Sequence, residues 1–138
     1  MLSPKDIVNE MLAKDYFSQW LKMEVLNISE GACTLQLKIR KDMLNGFGIA
    51  HGGITYSLAD SALAFASNSY GRKAVSVETS VSHTKSLKED DVIIAEAIEE
   101  HRSNKIAIYS VKVINISDNS IVALFKGTVY LTSQNWLK

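Results

Sequence analysis

Between Gly53 and Tyr70 the chain carries one charged residue, Asp60, among Ala, Ser, Leu, Phe and Tyr. A surface helix shows a charged stripe opposite its apolar one, so a helix without that stripe is expected to be buried on nearly all sides. Asp60 is then a carboxylate inside the protein, which costs on the order of several kcal/mol unless something pairs with it. A chain that keeps such a group generally has a use for it. Directly upstream, His51-Gly52-Gly53 opens the same helix. A helix start presents unpaired N–H groups and a partial positive charge, and glycine lets a ligand approach the backbone closely. Gly53 and Asp60 lie about two turns apart at ~3.6 residues per turn and so share a face.

The elements that must position these residues are legible from periodicity. Ser3 as N-cap, Pro4 at the first helical position and Asp6 in the first turn predict a short N-terminal helix, with Ile7, Val8, Met11 and Leu12 as its apolar stripe. Tyr16, Phe17, Trp20 and Leu21 extend an aromatic stretch that reads as core or dimer packing rather than a ligand platform. From Met23 the pattern becomes strand-like: Met23 to Ser29, a turn at Glu30-Gly31, then Ala32 to Arg40, where Cys33, Leu35, Leu37 and Ile39 alternate with polar residues. A loop, Lys41 to Ala50, leads into the central helix, which ends near Tyr70-Gly71. Four strands follow, Ala74 to Thr84, Val92 to Arg102, Lys105 to Ser117 and Ile121 to Thr132, with turns at Ser103-Asn104 and Asp118-Asn119-Ser120 joining the last three. The expected fold is α+β: six antiparallel strands wrapped around one central helix.

Composition narrows the function. With 138 residues, 46% of them hydrophobic, one domain spanning 1–138 can bury a core without staples. Fifteen basic residues balance fifteen acidic ones, which leaves no basic field for nucleic acid. The single Cys33 has no Cys or His neighbour at metal-ligand spacing, so it reads as a core thiol in a reducing compartment. Neither a basic-then-apolar N-terminal segment nor an apolar run of about 20 residues occurs, and a cytoplasmic location with no membrane partner is expected. His83 and His101 fall in strand-like segments and read as structural.

The segment Asn45-Gly46-Phe47-Gly48-Ile49-Ala50-His51-Gly52-Gly53, followed by Leu58-Ala59-Asp60-Ser61-Ala62, resembles the signature of hotdog-fold acyl-CoA thioesterases of the phenylacetate-degradation (PaaI) type. The order of helix and strands is similar over essentially the whole chain. The resemblance implies a homodimer, associating further to a homotetramer, in which sheets join edge to edge and two central helices meet across a twofold axis. It implies that the Gly53 N–H holds the thioester carbonyl oxygen, that Asn45 and His51 line the same side, and that Asp60 of the second subunit activates water as a general base or, alternatively, attacks as a nucleophile. Ser76 matches the position of a hydroxyl that orients the water.

The coenzyme A phosphates call for a basic rim, for which Lys85, Lys88, Arg102 and Lys105 are candidates, with Gly52 and Asn104 among the substrate contacts. Lys85-Ser86 and Asp90-Asp91 stand where relatives often read Arg-Pro and a later Gly-Asp. No metal and no cofactor are implied, coenzyme A being part of the substrate. Competing functions are a hotdog acyl-thioester dehydratase or hydratase, and a non-catalytic acyl-CoA-binding protein.

Overall fold

A computed structural model describes residues 2–136. Helix α1 (Pro4–Lys14) starts as expected: the Ser3 hydroxyl accepts the Asp6 N–H, and the Asp6 carboxylate accepts the Ser3 N–H, both at 3.1 Å. This reciprocal cap satisfies two donors that the first turn leaves open. Asp15 ends α1 and caps a second short helix, α2 (Tyr16–Leu21), by accepting the Ser18 N–H at 3.0 Å. Lys22 stops α2 in the left-handed conformation.

Strands β1 (Glu24–Ser29) and β2 (Ala32–Lys38) form the expected hairpin. Its turn requires Gly31, which has φ +79° and so little room that an added Cβ would lie 2.7 Å from the Tyr70 hydroxyl. A 3-10 turn, Lys41–Met43, precedes the central helix α3 (Gly52–Asn68). Strands β3 (Arg72–His83), β4 (Val92–Arg102), β5 (Ile106–Asn115) and β6 (Ser120–Asn135) follow. All pairings are antiparallel, in the order β1-β2-β4-β5-β6-β3. The chain therefore crosses the sheet by way of α3 to lay β3 at the far edge, where among the described residues it pairs with β6 alone.

Leu58, Ala59, Ala62, Leu63, Phe65 and Ala66 of α3 pack on Leu35, Leu37, Ile93, Ala95, Val111, Val113 and Val129 of the sheet, all at most 2% exposed. Each fully buried Leu or Val stabilises the fold by about 1.5–3 kcal/mol. Gly127 of β6 makes room for the helix: an added Cβ there would meet Leu63 Cδ2 at 2.5 Å. Cys33 sits in this core at 1% exposure, and burial pushes its thiol pKa up to about 12.

One expectation needs correction. The central helix is not enclosed on nearly all sides: one strip, comprising Gly53, Ser57, Asp60, Ser61 and Ala64, is half-buried or exposed. A single sheet covers one side of a helix, α1 and α2 cover only part of the other, and a strip of small residues with Asp60 as its one charge remains open. Of the aromatic stretch, Leu21 lies in the core, while Tyr16, Phe17 and Trp20 are 75%, 53% and 45% exposed, so packing against a second copy is the reading left for these three. Arg40 lies over the Trp20 ring at 5.1 Å and donates to the Leu21 and Trp20 carbonyls, which ties α2 down from outside. Among the described residues no helix is long and apolar enough to cross a membrane.

Candidate active site

The loop before α3 is built by Asn45. Its Oδ1 accepts the Phe47 N–H at 2.9 Å and the Ile49 N–H at 3.4 Å, while its backbone pairs with Ile49 and Gly48. With Oδ1 committed to backbone donors, the two N–H bonds of its amide are the part left for a ligand, and they have no acceptor among the described residues. Asn45 thus orders the loop and also presents donors.

At the helix start the geometry separates the two glycines. His51 is the N-cap of α3, and its Nδ1 accepts the Gly53 N–H at 2.9 Å. The Gly53 amide expected to hold a carbonyl oxygen is therefore already engaged within the chain. Gly52, at the first helical position, has no acceptor for its N–H among the described residues, the position where a helix leaves a donor open. Because Nδ1 accepts, the neutral His51 ring carries its proton on Nε2, directed away from the cap.

His83, read from sequence as structural, stands beside Gly52. A Cβ added to Gly52 would lie 3.1 Å from His83 Nε2. Thr55 Oγ1 donates to the Gly52 carbonyl at 3.1 Å and lies 3.3 Å from His83 Nδ1. With its one proton on that carbonyl, Thr55 accepts from Nδ1–H, which leaves Nε2 of the neutral ring as a lone pair facing the pocket. No sequence signal marks His83, because its neighbour Thr55 lies across a strand-to-helix contact. Asn45, Gly52, Thr55, His83, Lys85 and Leu87 line one pocket of about 340 Å³.

Asp60 lies on the open strip of α3, half-buried. Burial first, and the nearby charge of Asp15 second, raise its carboxyl above the ordinary aspartate pKa. Ser76 lies on the exposed edge strand β3 opposite Val129, next to a bulge between Ser76 and Glu78. Such bulges re-aim edge side chains.

The proposed phosphate contacts divide. Lys85 borders the pocket but is paired with Asp118 at 2.7 Å, and Lys88 lies in an adjoining depression with Ser86 and Asp91. Arg102, Asn104 and Lys105 sit instead around the β4–β5 turn at the other end of α3, about 25 Å along a helix of this length at ~1.5 Å per residue. Arg102 stacks on Tyr70 at 3.9 Å and lies 3.7 Å from Glu99, and the Asn104 carbonyl accepts from Arg72 at 2.6 Å. Within one chain these residues are not brought to Asn45 and Gly52, and Arg102 holds the end of α3 rather than offering a free cation. Among the described residues no His, Cys, Asp and Glu group is arranged to hold a metal ion.

A long helix seated in a six-stranded antiparallel sheet, with a donor-bearing loop at its start and a carboxylate on its open strip, defines a hotdog-fold protein. Residues 47–122 match the thioesterase superfamily, and the chain belongs to that family. The acyl-coenzyme A thioesterase PaaI of Escherichia coli is 30% identical over 85% of this chain and 83% of its own. The solved structure of the E. coli PaaI protein superposes with a TM-score of 0.89 at 28% identity, covering 92% and 91% of the two chains. A variant of PaaI from Thermus thermophilus gives a TM-score of 0.82 at 36% identity, over 86% of this chain and all (100%) of that one.

Proposed function

We propose that this protein hydrolyses the thioester of an acyl- or aryl-coenzyme A, with each site assembled from two copies of the chain. The observation that carries the reading is the pair of free donors, the Gly52 N–H and the Asn45 amide, facing one pocket at a helix start. The relative named acyl-coenzyme A thioesterase supports the substrate class.

Donors aimed at a carbonyl oxygen stabilise the negative charge that develops as water adds. In our reading Gly52, not Gly53, is the backbone donor; His51 holds the turn, and Asn45 supplies the second contact. Asp60 takes a proton from the attacking water, a role suited to a carboxylate whose surroundings favour the protonated form once it has accepted. A C–O bond forms, the C–S bond breaks, and the proton passes to the departing thiolate of coenzyme A. Ser76 orients the water, and Lys85 and Lys88 face the phosphates.

Asp60 lies two turns beyond the helix start, so Asp60 and Gly52 of one chain cannot serve the same carbonyl. The open strip of α3 and the edge of β3, where Val75 and Val77 are 53% and 59% exposed, are the surfaces on which a second copy would bring the two together. A tetramer built from such dimers is the further assembly we propose. The test is release of free thiol from a panel of aryl-, short-chain and long-chain acyl-CoA substrates. Thiol release is expected, and purified protein that hydrates enoyl-CoA without releasing thiol would overturn the reading.

A further inference from the structure

Asp15 lies outside the signature that carries the thioesterase resemblance, yet the fold delivers it to Asp60. Its Oδ1 caps α2 by accepting the Ser18 N–H, and its Oδ2 accepts the Ser18 hydroxyl at 2.6 Å. The Ser18 oxygen lies 2.9 Å from the Ser61 hydroxyl. Since a carboxylate only accepts and each hydroxyl has one proton, the direction is fixed: Ser61 donates to Ser18, and Ser18 donates to Asp15. Ser18, the middle of this chain, is 2% exposed and sheltered from water, while Asp15 and Ser61 at its ends are half-buried. It ends on the residue next to Asp60 along α3.

We propose that Asp15 is a positioning residue for Asp60: a second negative charge, held against α3 through Ser18 and Ser61, that fixes the helix face bearing Asp60 and strengthens Asp60 as a base. The proposal rests on the reading of Asp60 as general base. The charges around Asp60 are few. The rest of α3 has none, the sheet residues packed under it are apolar, and the charged side chains of α1, Lys5, Asp6, Glu10 and Lys14, are all exposed. Neither Asp15 nor Asp60 takes part in an ion pair among the described residues. Like charges at close range in a partly dry site make the proton harder to remove, and Asp15 acts on Asp60 in that sense. Capping α2 alone would require only the one contact to the Ser18 N–H; the contact to the Ser18 hydroxyl, and through it to Ser61, is additional.

The test separates charge from cap. Asn is as good an N-cap as Asp, so Asp15→Asn keeps α2 while removing the charge; Asp15→Ser is a second neutral variant that retains a capping oxygen. Two quantities are read in the full-length protein: the Asp60 carboxyl titration by carbon-13 NMR, assigned with Asp60→Asn, and the pH profile of kcat/KM. In either variant the NMR midpoint is expected to move to lower pH. The acidic limb of the profile should follow it, so that activity relative to the plateau rises severalfold on that limb. A folded neutral variant whose midpoint stays at the wild-type pH overturns the proposal. A midpoint that moves in a protein without thioester turnover supports the coupling and refutes the reading of function instead, so the two failures are distinguishable.

Discussion

The two ends of α3 are built to opposite plans. At the C-terminal end the side chains that close the helix are spent on the fold: the Asn68 amide donates to the Ala64 and Ala74 carbonyls and accepts from Ala74 N–H and Trp136 Nε1. Ser69 accepts the Gly31 N–H at 2.8 Å, and Tyr70 donates to Glu99 while Arg102 covers its ring. At the N-terminal end the Gly52 N–H and the Asn45 amide are left open beside a pocket. Helix starts are where backbone donors go unpaired in any case, so a site there uses groups the fold cannot satisfy. The tied end holds the helix in place, and the open end keeps donors available.

The largest expected break in this contrast lies between the ends. Asp60→Asn should lower kcat by roughly a hundredfold or more, the scale of a lost general base, as read in a thiol-release assay. Stability should move the other way. A carboxyl whose folded pKa lies above its unfolded value costs stability as pH rises between the two, because the unfolded chain gives up its proton first. Asp60→Asn is therefore expected to melt at a higher temperature than wild type at neutral pH, with the difference closing below the unfolded aspartate pKa. A variant with near-normal turnover would remove Asp60 from the chemistry.

At the open end the neighbouring glycines are expected to differ. Gly52→Val puts a branched side chain against His83 Nε2 and over the free donor, and should lower kcat by about tenfold or more, since small misplacements of a reacting group are costly. Gly53→Ala only presses on the His51 ring, 3.1 Å from the added Cβ, and should retain most activity. Reversal of that order would return the carbonyl to Gly53. The tied end is expected to respond in stability alone. Asn68→Ala leaves buried partners without bonds and should cost about 2–4 kcal/mol in denaturant unfolding, with kcat per folded molecule unchanged.

Much of this contrast was legible in the sequence, but not its assignment to particular atoms. The helix, the β1–β2 hairpin and the Val92–Arg102 strand follow from local periodicity and turn residues, and the signature around His51-Gly52-Gly53 and Asp60 falls on the central helix and its start. What periodicity does not carry is what lies across from what. Gly52 and Gly53 are indistinguishable until the cap geometry shows which N–H His51 has taken. Arg102 looked like a free cation because the Tyr70 ring that covers it is 32 residues away in sequence and reaches it only through the fold. Asp15 and Ser18 carry no signal in the sequence, since the Ser18–Ser61 link spans 43 residues. Even the enclosure of α3 was overstated: a missing charged stripe signals contact with something apolar, and cannot tell whether this chain or a second copy supplies it.

The smallest effect concerns the one cation at the pocket's rim. Lys85 at the open end and Arg102 at the tied end are both engaged, but the Lys85 pair is the more exposed, with side chains 51% and 46% accessible against 23% and 25% for Arg102 and Glu99. Asp118 is held well below the usual carboxylate range, first by the hydrogen bond from Lys85 and then by Ser120. It stays ionised to strongly acidic pH, and the pair persists throughout the neutral range. An exposed pair of this kind is weak and screened by salt, so a phosphate could exchange for Asp118 at little cost. Asp118→Asn is accordingly expected to lower KM for acyl-CoA by about twofold at low ionic strength, with kcat unchanged and the difference lost in high salt. A salt-independent change would mean that the mutation altered the turn rather than freed the lysine. No change at any salt, in a folded variant, would remove Lys85 from the phosphate contacts and leave Lys88 as the cation to test at this end of the helix.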